Sequence, residues 1–413
     1  MKCRHCASEL ELPLVDLGSA PPSNAYLTEL TLKAPEKWFP LRVLVCEQCW
    51  LVQTEDFADA NELFDADYAY FSGFSTSWLA HSERYAIDMI AALGLDAGSH
   101  VVEVAANDGC LLQNFVSRGI ACTGIEPTAS TAAAARARGI DVVEDFFGSR
   151  LASELCRQGR QADLMTANNV LAHVPDINDF VAGFTVLLKP DGVVTFEFPH
   201  LVKLVAENQF DTIYHEHFSY LSFTAATTIL GAAGLGVFDV QELPTHGGSL
   251  RVFAQRNDTG RRPRDARVQE MLRMEGDAGV TTAAYYAGFQ ARAEKVKDDL
   301  LAFLIDAKRL GLKVAAYGAA AKGNTLLNFA GVRPDVMPFV VDRNPAKQGK
   351  YLPGSRVPVV AEDALRVARP DLILILPWNL RDEIEQQLSC VEAWGGRFVT
   401  AIPRLEVRAH AHR

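Results

Sequence analysis

Two groups of side chains in this sequence can do chemistry. At the N-terminus, "CRHC" and "CEQC" pair Cys3 with Cys6 and Cys46 with Cys49. Each pair sits on one turn, and two such turns bring four thiolates into tetrahedral reach of a zinc ion. Four thiolates leave no coordination position for water, so the expected zinc is structural. Further along, "FDTIYHEHFSYLS" (210–222) gathers Tyr214, His215, Glu216, His217 and Tyr220. Loops favour Gly, Pro, Asn and Ser, and cores exclude His and Glu, so this stretch reads as an acid–base site or as a hydrogen-bonded polar patch. Removing a proton beside a ketone to make a carbon nucleophile would use every group type present. A base of near-neutral pKa removes a proton beside a ketone, a carboxylate orients the base, and a phenol or second imidazole donates to the enolate oxygen. Deprotonating an oxygen or a nitrogen needs only the base, which leaves that simpler acid–base chemistry as the alternative.

The chain must be long enough to build a pocket around such groups. Its 413 residues exceed what one core supports, so two or three domains are expected. A net charge of −11 with no basic block argues against nucleic acid or an anionic membrane as partner. No apolar run approaches the ~20 residues of a membrane helix, and "MKCRHCASEL" lacks the core of a signal peptide, so a soluble, cytoplasmic protein is expected. Cys110, Cys122, Cys156 and Cys390 are scattered singly and read as buried core residues.

From about Ser99, strand and helix patterns alternate. "HVVEVAAND", "ACTGIEP", "IDVVEDFF", "ADLMTANN" and "GVVTFEFPH" read as five strands with helices between them. "GVFDVQELPTHGGSLRVFAQR" follows as an antiparallel hairpin around a Gly-Gly turn. This is the α/β plan of a class I methyltransferase, a seven-stranded doubly wound sheet. Ligands of such sheets sit beyond the carboxyl ends of the strands. Those ends carry Glu103, Ala105, Asn107 and Gly109 (strand one), Glu126 and Pro127 (two), Asp145, Phe146 and Phe147 (three), and Asn168 (four). Glu126 can accept both hydroxyls of an adenosine ribose. Asp145 can accept from the adenine amino group, with a phenylalanine ring covering the base. A dinucleotide would need GxGxxG for its pyrophosphate, whereas this turn offers only Asn107-Asp108-Gly109. A cationic sulfonium suits the acidic surroundings, so S-adenosylmethionine is the expected cofactor.

The stretch 261–310 reads as helices bridging domains, and "KVAAYGAAAKGN", "VMPFVVD", "PDLILILPW" and "GGRFVTAIP" as a second, Rossmann-like α/β sheet. Lys322 and the helix after it can hold a phosphate, and His246 in the hairpin turn can face a bound substrate. The expected divisions are a zinc-binding domain (1–62), a cofactor domain (63–258), a helical connection (259–310) and a C-terminal Rossmann-like domain (311–413).

Taken in order, CxxC…CxxC, "YAYFSG", "EVAANDG", "GIEPT", "EDFF", "ANNVLAHVPD", "YHEHFSYLS", "THGGSLR" and "YGAAAKGN" resemble the bacterial zinc-containing sugar C-methyltransferases over essentially the whole chain. Those enzymes act on nucleotide-linked 4-keto-deoxysugars. The resemblance implies His217 as base, with Tyr214 and Glu216 in the same catalytic motif and Tyr70 and His173 at the same pocket. It implies a nucleotide-sugar substrate, dTDP-linked, and a monomer. His215 falls at a variable position. Ala105 stands where the family has Gly, adding a methyl near the methionine portion of the cofactor. The runner-up enzyme is an O- or N-methyltransferase using His217 for a simpler deprotonation, and a non-catalytic zinc-ribbon interaction protein is the alternative of a different class.

Overall fold

The computed structural model describes residues 1–57, 73 and 76–408. Tyr70 lies outside them. Strands Leu12–Ala20, Phe39–Val45 and Val52–Thr54 form an antiparallel N-terminal sheet, and Ser219–Tyr220, from far along the chain, adds its fourth strand.

The central sheet has seven strands: β1 (His100–Val104), β2 (Ala121–Ile125), β3 (Asp141–Val143), β4 (Ala162–Asn168), β5 (Leu188–Pro199), β6 (Leu235–Leu243) and β7 (Ser249–Arg256). Their spatial order is β6-β7-β5-β4-β1-β2-β3. Strands β1 to β5 run parallel, and β7 lies antiparallel to both β5 and β6. The expected doubly wound sheet with a terminal hairpin is present. Its parallel strands are covered on both faces, which is why they read as apolar runs rather than alternating ones. Val101, Val102 and Val104 are all buried.

The C-terminal sheet has six strands, ordered Val359–Val360, Val340–Val341, Val314–Tyr317, Leu372–Ile375, Arg397–Thr400 and Glu406–Arg408, with only the last pairing antiparallel. Among the described residues, no helix is long and apolar enough to cross a membrane. Of the scattered cysteines, Cys110 is buried, while Cys122, Cys156 and Cys390 are only half-buried.

The segment between the two large sheets is more than a connection. Helix Phe289–Arg309 buries Leu300 and Leu304 in one core with Leu14 and Val43 of the N-terminal sheet and Val314 and Leu374 of the C-terminal sheet. Helix Ala266–Ala278 contributes a buried carboxylate, Glu275. It accepts from the Phe223 and Thr224 amides (2.6 and 2.7 Å), from the Thr224 hydroxyl (2.6 Å), and meets His200 Nε2 at 2.6 Å. Helix Phe223–Ala232 thus has its orphan N-terminal amides satisfied from another helix as well as by its own Ser222 cap. Glu275→Ala would leave these donors and His200 without a partner in the interior. It should cost about 3–5 kcal/mol, read as a lowered urea midpoint with the spectrum of the folded protein retained.

Candidate active site and metal centre

The four cysteine sulfurs lie within 4.8 Å of one another, with Cys3–Cys49 at 3.5 Å and Cys6–Cys46 at 3.4 Å. Thiolates about 2.3 Å from a tetrahedral zinc stand roughly 3.8 Å apart, so the donor set fits that ion. Each CxxC turn closes through a left-handed residue, Ala7 (φ 61) and Trp50 (φ 59), whose amides donate to the carbonyls of Cys3 (3.0 Å) and Cys46 (2.8 Å). His5 is engaged elsewhere, with Nδ1 2.8 Å from Asn178 Oδ1.

This metal centre is tied to the "YHEH" stretch. Arg4, between Cys3 and Cys6, donates to the Thr54 carbonyl (2.9 Å), pairs with Asp56 and stacks its guanidinium 4.9 Å from the Phe218 ring centroid. Strand Val52–Thr54 then pairs with Ser219–Tyr220, and the Thr54 hydroxyl donates to the His217 carbonyl at 2.5 Å.

His217 is oriented by backbone, not by the neighbouring carboxylate. Its Nδ1 lies 2.8 Å from the Thr212 carbonyl, which can only accept, so Nδ1 carries the proton and Nε2 the lone pair. Glu216 instead accepts from Asn24 at 3.1 Å. His215 is buried with Nε2 against the Phe39 and Pro40 carbonyls (3.3 and 3.2 Å), which gives it a structural place at the start of an N-terminal strand. Around His217 stand Tyr214, with ring centroids 3.9 Å apart, and His173, edge-on at 4.6 Å. Burial, then the neighbouring His173, holds His217 well below the usual histidine value, and Lys322 and His246 push in the same direction. Burial takes His173 and His246 down to about 4. The imidazoles are therefore neutral at pH 7.

The loop after β1 is left-handed at Ala105 (φ 58), Asn107 (φ 50) and Gly109 (φ 75). An L-residue in that region costs roughly 1–2 kcal/mol, so Ala105 stands where the backbone favours glycine. The buried Glu126 accepts from the Asn107 amide (2.9 Å) and, with its other oxygen, from the Thr128 amide (3.0 Å), beside Pro127. Each oxygen keeps a lone pair for a ribose hydroxyl. Glu103 is buried with Oε2 lacking a partner, and Asp108 Oδ1 is likewise bare among the described residues. Burial, then Asp108 and Glu126, raises Glu103 well above the carboxylate range. Asp108 pairs through its other oxygen with Arg138 (3.1 Å), so the acceptors left open are one oxygen each of Glu103 and Asp108, and a bound cation would favour their charged forms.

Other expected cofactor residues are placed less uniformly. Phe146 is exposed and available to cover a base, whereas Phe147 packs edge-on against Phe184 (4.8 Å) in the core. Asp145 is ion-paired with Arg150 at 2.6 Å, so an adenine amino group would share it. Asn168 accepts from Thr166 (3.3 Å) and has a buried Nδ2 without a partner.

Some residues of the cleft lie outside the sequence reading. Glu197 on β5 is fully buried directly opposite Arg251 on β7. It accepts from Arg251 (2.7 Å) and Thr245 (3.0 Å) and meets His81 Nε2 at 2.9 Å. Burial alone would raise Glu197, but His81 and Arg251 outweigh it and keep the carboxylate ionised. Trp78 stacks on His81 (5.1 Å) and lies 5.8 Å from His246. Glu197 carried a usable signal, a charge inside the apolar run "VVTFEFP". Trp378, which donates its indole N–H to Asp211 (2.8 Å), carried none, because the two are 167 residues apart.

Three family models match the chain: "Putative zinc binding domain" over residues 3–64, "Methyltransferase domain" over 78–240, and "C-methyltransferase C-terminal domain" over 244–403. The last begins inside the hairpin whose strand β7 hydrogen-bonds into the central sheet. The chain is 34% identical over 406 residues to C-methyltransferase NovU of Streptomyces niveus, covering 98% of this chain and 96% of that protein. It is 27% identical over 110 residues to a ubiquinone biosynthesis O-methyltransferase of Pasteurella multocida, covering 24% of this chain and 46% of the other. A solved magnesium protoporphyrin IX methyltransferase from Synechocystis PCC 6803, with SAH bound, superposes with a TM-score of 0.36 at 14% identity, covering 43% of this chain and 83% of that one.

Two outcomes follow from this geometry. Cys46→Ser should lower the zinc content measured by elemental analysis and, through the Val52–Thr54 pairing, raise protease sensitivity around residues 210–222 as well as near the N-terminus. Zinc-free wild-type protein with full stability would refute the structural role. The second outcome concerns acid. An unfolded histidine titrates near 6.5 and folded His173 near 4. Between those values the unfolded chain binds the extra proton, so the His173 contribution falls as pH falls, by up to about 1.4 kcal/mol per pH unit. Asp211 and Glu216, raised by burial, act in the opposite sense. The comparison that isolates the histidine is wild type against His173→Gln, whose relative stability should rise on acidification from pH 6.5 to 4 in urea titrations.

Proposed function

Because the chain belongs to the SAM-dependent C-methyltransferase family, we propose that it methylates a nucleotide-linked 4-keto-deoxysugar at the carbon beside the ketone. The observation that carries this reading is the tautomer of His217. The Thr212 carbonyl holds the proton on Nδ1, leaving Nε2 to act as base among Tyr214, His173 and His246.

In this reading His217 Nε2 removes the proton beside the ketone, and the Nδ1–H bond to Thr212 steadies the imidazolium that results. The enolate oxygen takes a hydrogen bond from the Tyr214 hydroxyl or from His173, with Tyr70 as a further candidate outside the described residues. Glu216 supports the stretch from behind through Asn24 rather than touching the base. S-adenosylmethionine, when bound, supplies a methyl group on a sulfonium centre. Glu103, Ala105, Asn107, Gly109, Glu126 and Pro127 form its methionine and ribose side, and Asp145, Phe146 and Asn168 its adenine side, with Phe147 backing them from the core. Lys322 and the start of helix Ala321–Phe329 face the diphosphate, and His246 the sugar.

The charge of Lys322 has a further use. It contributes to keeping His217 weakly basic, and a diphosphate beside it would cancel that effect. The base would then strengthen as substrate arrives, which suits a group that must act near neutral pH. The division into 1–62 for zinc, 63–258 for cofactor, 259–310 as connection and 311–413 for the nucleotide belongs to the same proposal. So do the dTDP carrier, the monomeric state, a cytoplasmic setting and the absence of a nucleic-acid or membrane partner.

Hydrogen exchange separates this reading from simpler methyl transfer. With S-adenosylhomocysteine and a dTDP-4-keto-deoxysugar in deuterated water, the wild type should exchange the proton beside the ketone. His217→Ala should lose ~10²–10⁴-fold in both exchange and methylation while still binding S-adenosylhomocysteine. A loss below tenfold, or exchange lost only in His173→Ala, would remove His217 from the role of base.

A further inference from the structure

Lys322 owes its position to residues from two other parts of the chain. Its Nζ lies 4.6 Å from the Trp378 ring centroid and 2.7 Å from Asn379 Oδ1. Trp378, in the turn Trp378–Leu380, is fixed from two sides. Its indole N–H donates to Asp211 Oδ2 at 2.8 Å. Its far edge presses on the hairpin turn, where a Cβ placed on Gly247 would come within 2.5 Å of Trp378 Cη2. Asp211 lies at the start of the "YHEH" stretch, fully buried, and its second oxygen has no partner among the described residues. Next to it, Thr325 of the Lys322 helix donates to the Ile213 carbonyl at 2.8 Å.

We propose that Asp211 is a positioning residue for the cation that meets the substrate, Lys322: its carboxylate anchors the Trp378 indole, and the indole face carries the Lys322 ammonium toward the anion of the substrate, beside the histidine cluster. A cation on an aromatic face is attracted by the ring quadrupole, and that attraction grows as water is excluded. The carboxylate behind the ring adds a counter-charge that direct contact with Lys322 would neutralise. Lys322 therefore stays charged yet, among the described residues, uncommitted to a salt bridge that a diphosphate would have to break.

The charged and titratable groups acting here are Asp211, behind the ring, and His217 and His246, which share the cleft with Lys322. Burial lowers Lys322 to about 8, with Asp211 pulling the other way, and burial raises Asp211 to about 6. Between pH 6 and 8, then, both groups are charged and Asp211 keeps the ammonium protonated. Below 6 the carboxyl is neutral and its support is gone, but Lys322 is fully charged without it.

The inference rests on the reading of Lys322 as a diphosphate contact, and two measurements separate their fates. Asp211→Asn retains an acceptor for the indole and removes only charge. Lys322 can be titrated without any substrate, from the pH dependence of its acetylation followed by peptide mass spectrometry. Its midpoint should fall below the wild-type value in Asp211→Asn, and an unchanged midpoint overturns the proposal. Thymidine diphosphate binding by calorimetry supplies the second measurement. At pH 8 the affinity of Asp211→Asn should be about tenfold weaker than wild type, approaching the level of Lys322→Met, while below pH 6 variant and wild type converge. A deficit of equal size at both pH values would mark Asp211 as merely structural and also overturn the proposal. If wild type does not bind thymidine diphosphate but the acetylation midpoint shifts as expected, the diphosphate reading fails and the positioning device stands.

Discussion

Two residues of strand pairing, Ser219 and Tyr220 against Gln53 and Val52, hold the corner that carries the "YHEH" stretch in place. A stretch as polar as "YHEH" has little apolar surface with which to fix itself, so its position must come from backbone hydrogen bonds and from neighbours that are rigid already. The N-terminal sheet offers both. Its strands are tied at one end by the cysteine turns, and Arg4 reaches from between two cysteines to Thr54 and Phe218. A zinc held by the four cysteines would thus stiffen the strand whose Thr54 hydroxyl donates to the His217 carbonyl.

The same corner explains why the parts of the chain share cores. Leu14 and Val43, Leu300 and Leu304, and Val314 and Leu374 come from three stretches yet pack as one cluster that also holds Phe210 and Ile213. The apolar residues flanking the polar stretch are thereby anchored in a core that extends from the N-terminal to the C-terminal sheet. Glu275 does similar work one helix away, where a buried carboxylate serves as cap for a helix it does not belong to.

What could be read from the sequence was what is local. The cysteine turns, the five apolar strands and the hairpin declare themselves through spacing and periodicity, because strand and turn propensities act over a few residues. The acidic ends of β1 and β2 were legible for the same reason. Side-chain pairing was not. Adjacent placement made Glu216 look like the partner of His217, but the chain turns between them, so Glu216 meets Asn24 and His217 meets Thr212. Phe146 and Phe147 looked interchangeable, and only the packing of Phe147 on Phe184 separates them. Ala105 is a finer case. A departure from glycine reads as extra bulk, while the backbone shows it as a left-handed residue kept in the turn that presents Glu103 and Asn107.

Charge ties these observations together. A base must be neutral to accept a proton, and His217, His173 and His246 are neutral because burial disfavours their charged forms. Burial that deep is available only where the central sheet, the N-terminal sheet and the C-terminal domain close on one another, since none of them alone covers the "YHEH" stretch. The proposed role of Lys322 carries the opposite requirement, to stay charged in the same cleft. Lysine starts about four pKa units above histidine, so the same burial that leaves the histidines neutral lowers Lys322 only to about 8, and support for its charge matters near that value. The indole face of Trp378, with the Asp211 carboxylate behind it, is that support, and it comes from the C-terminal domain and from the first residues of the catalytic stretch itself. Packing of the three units against one another is therefore what buries His217 and Lys322 together.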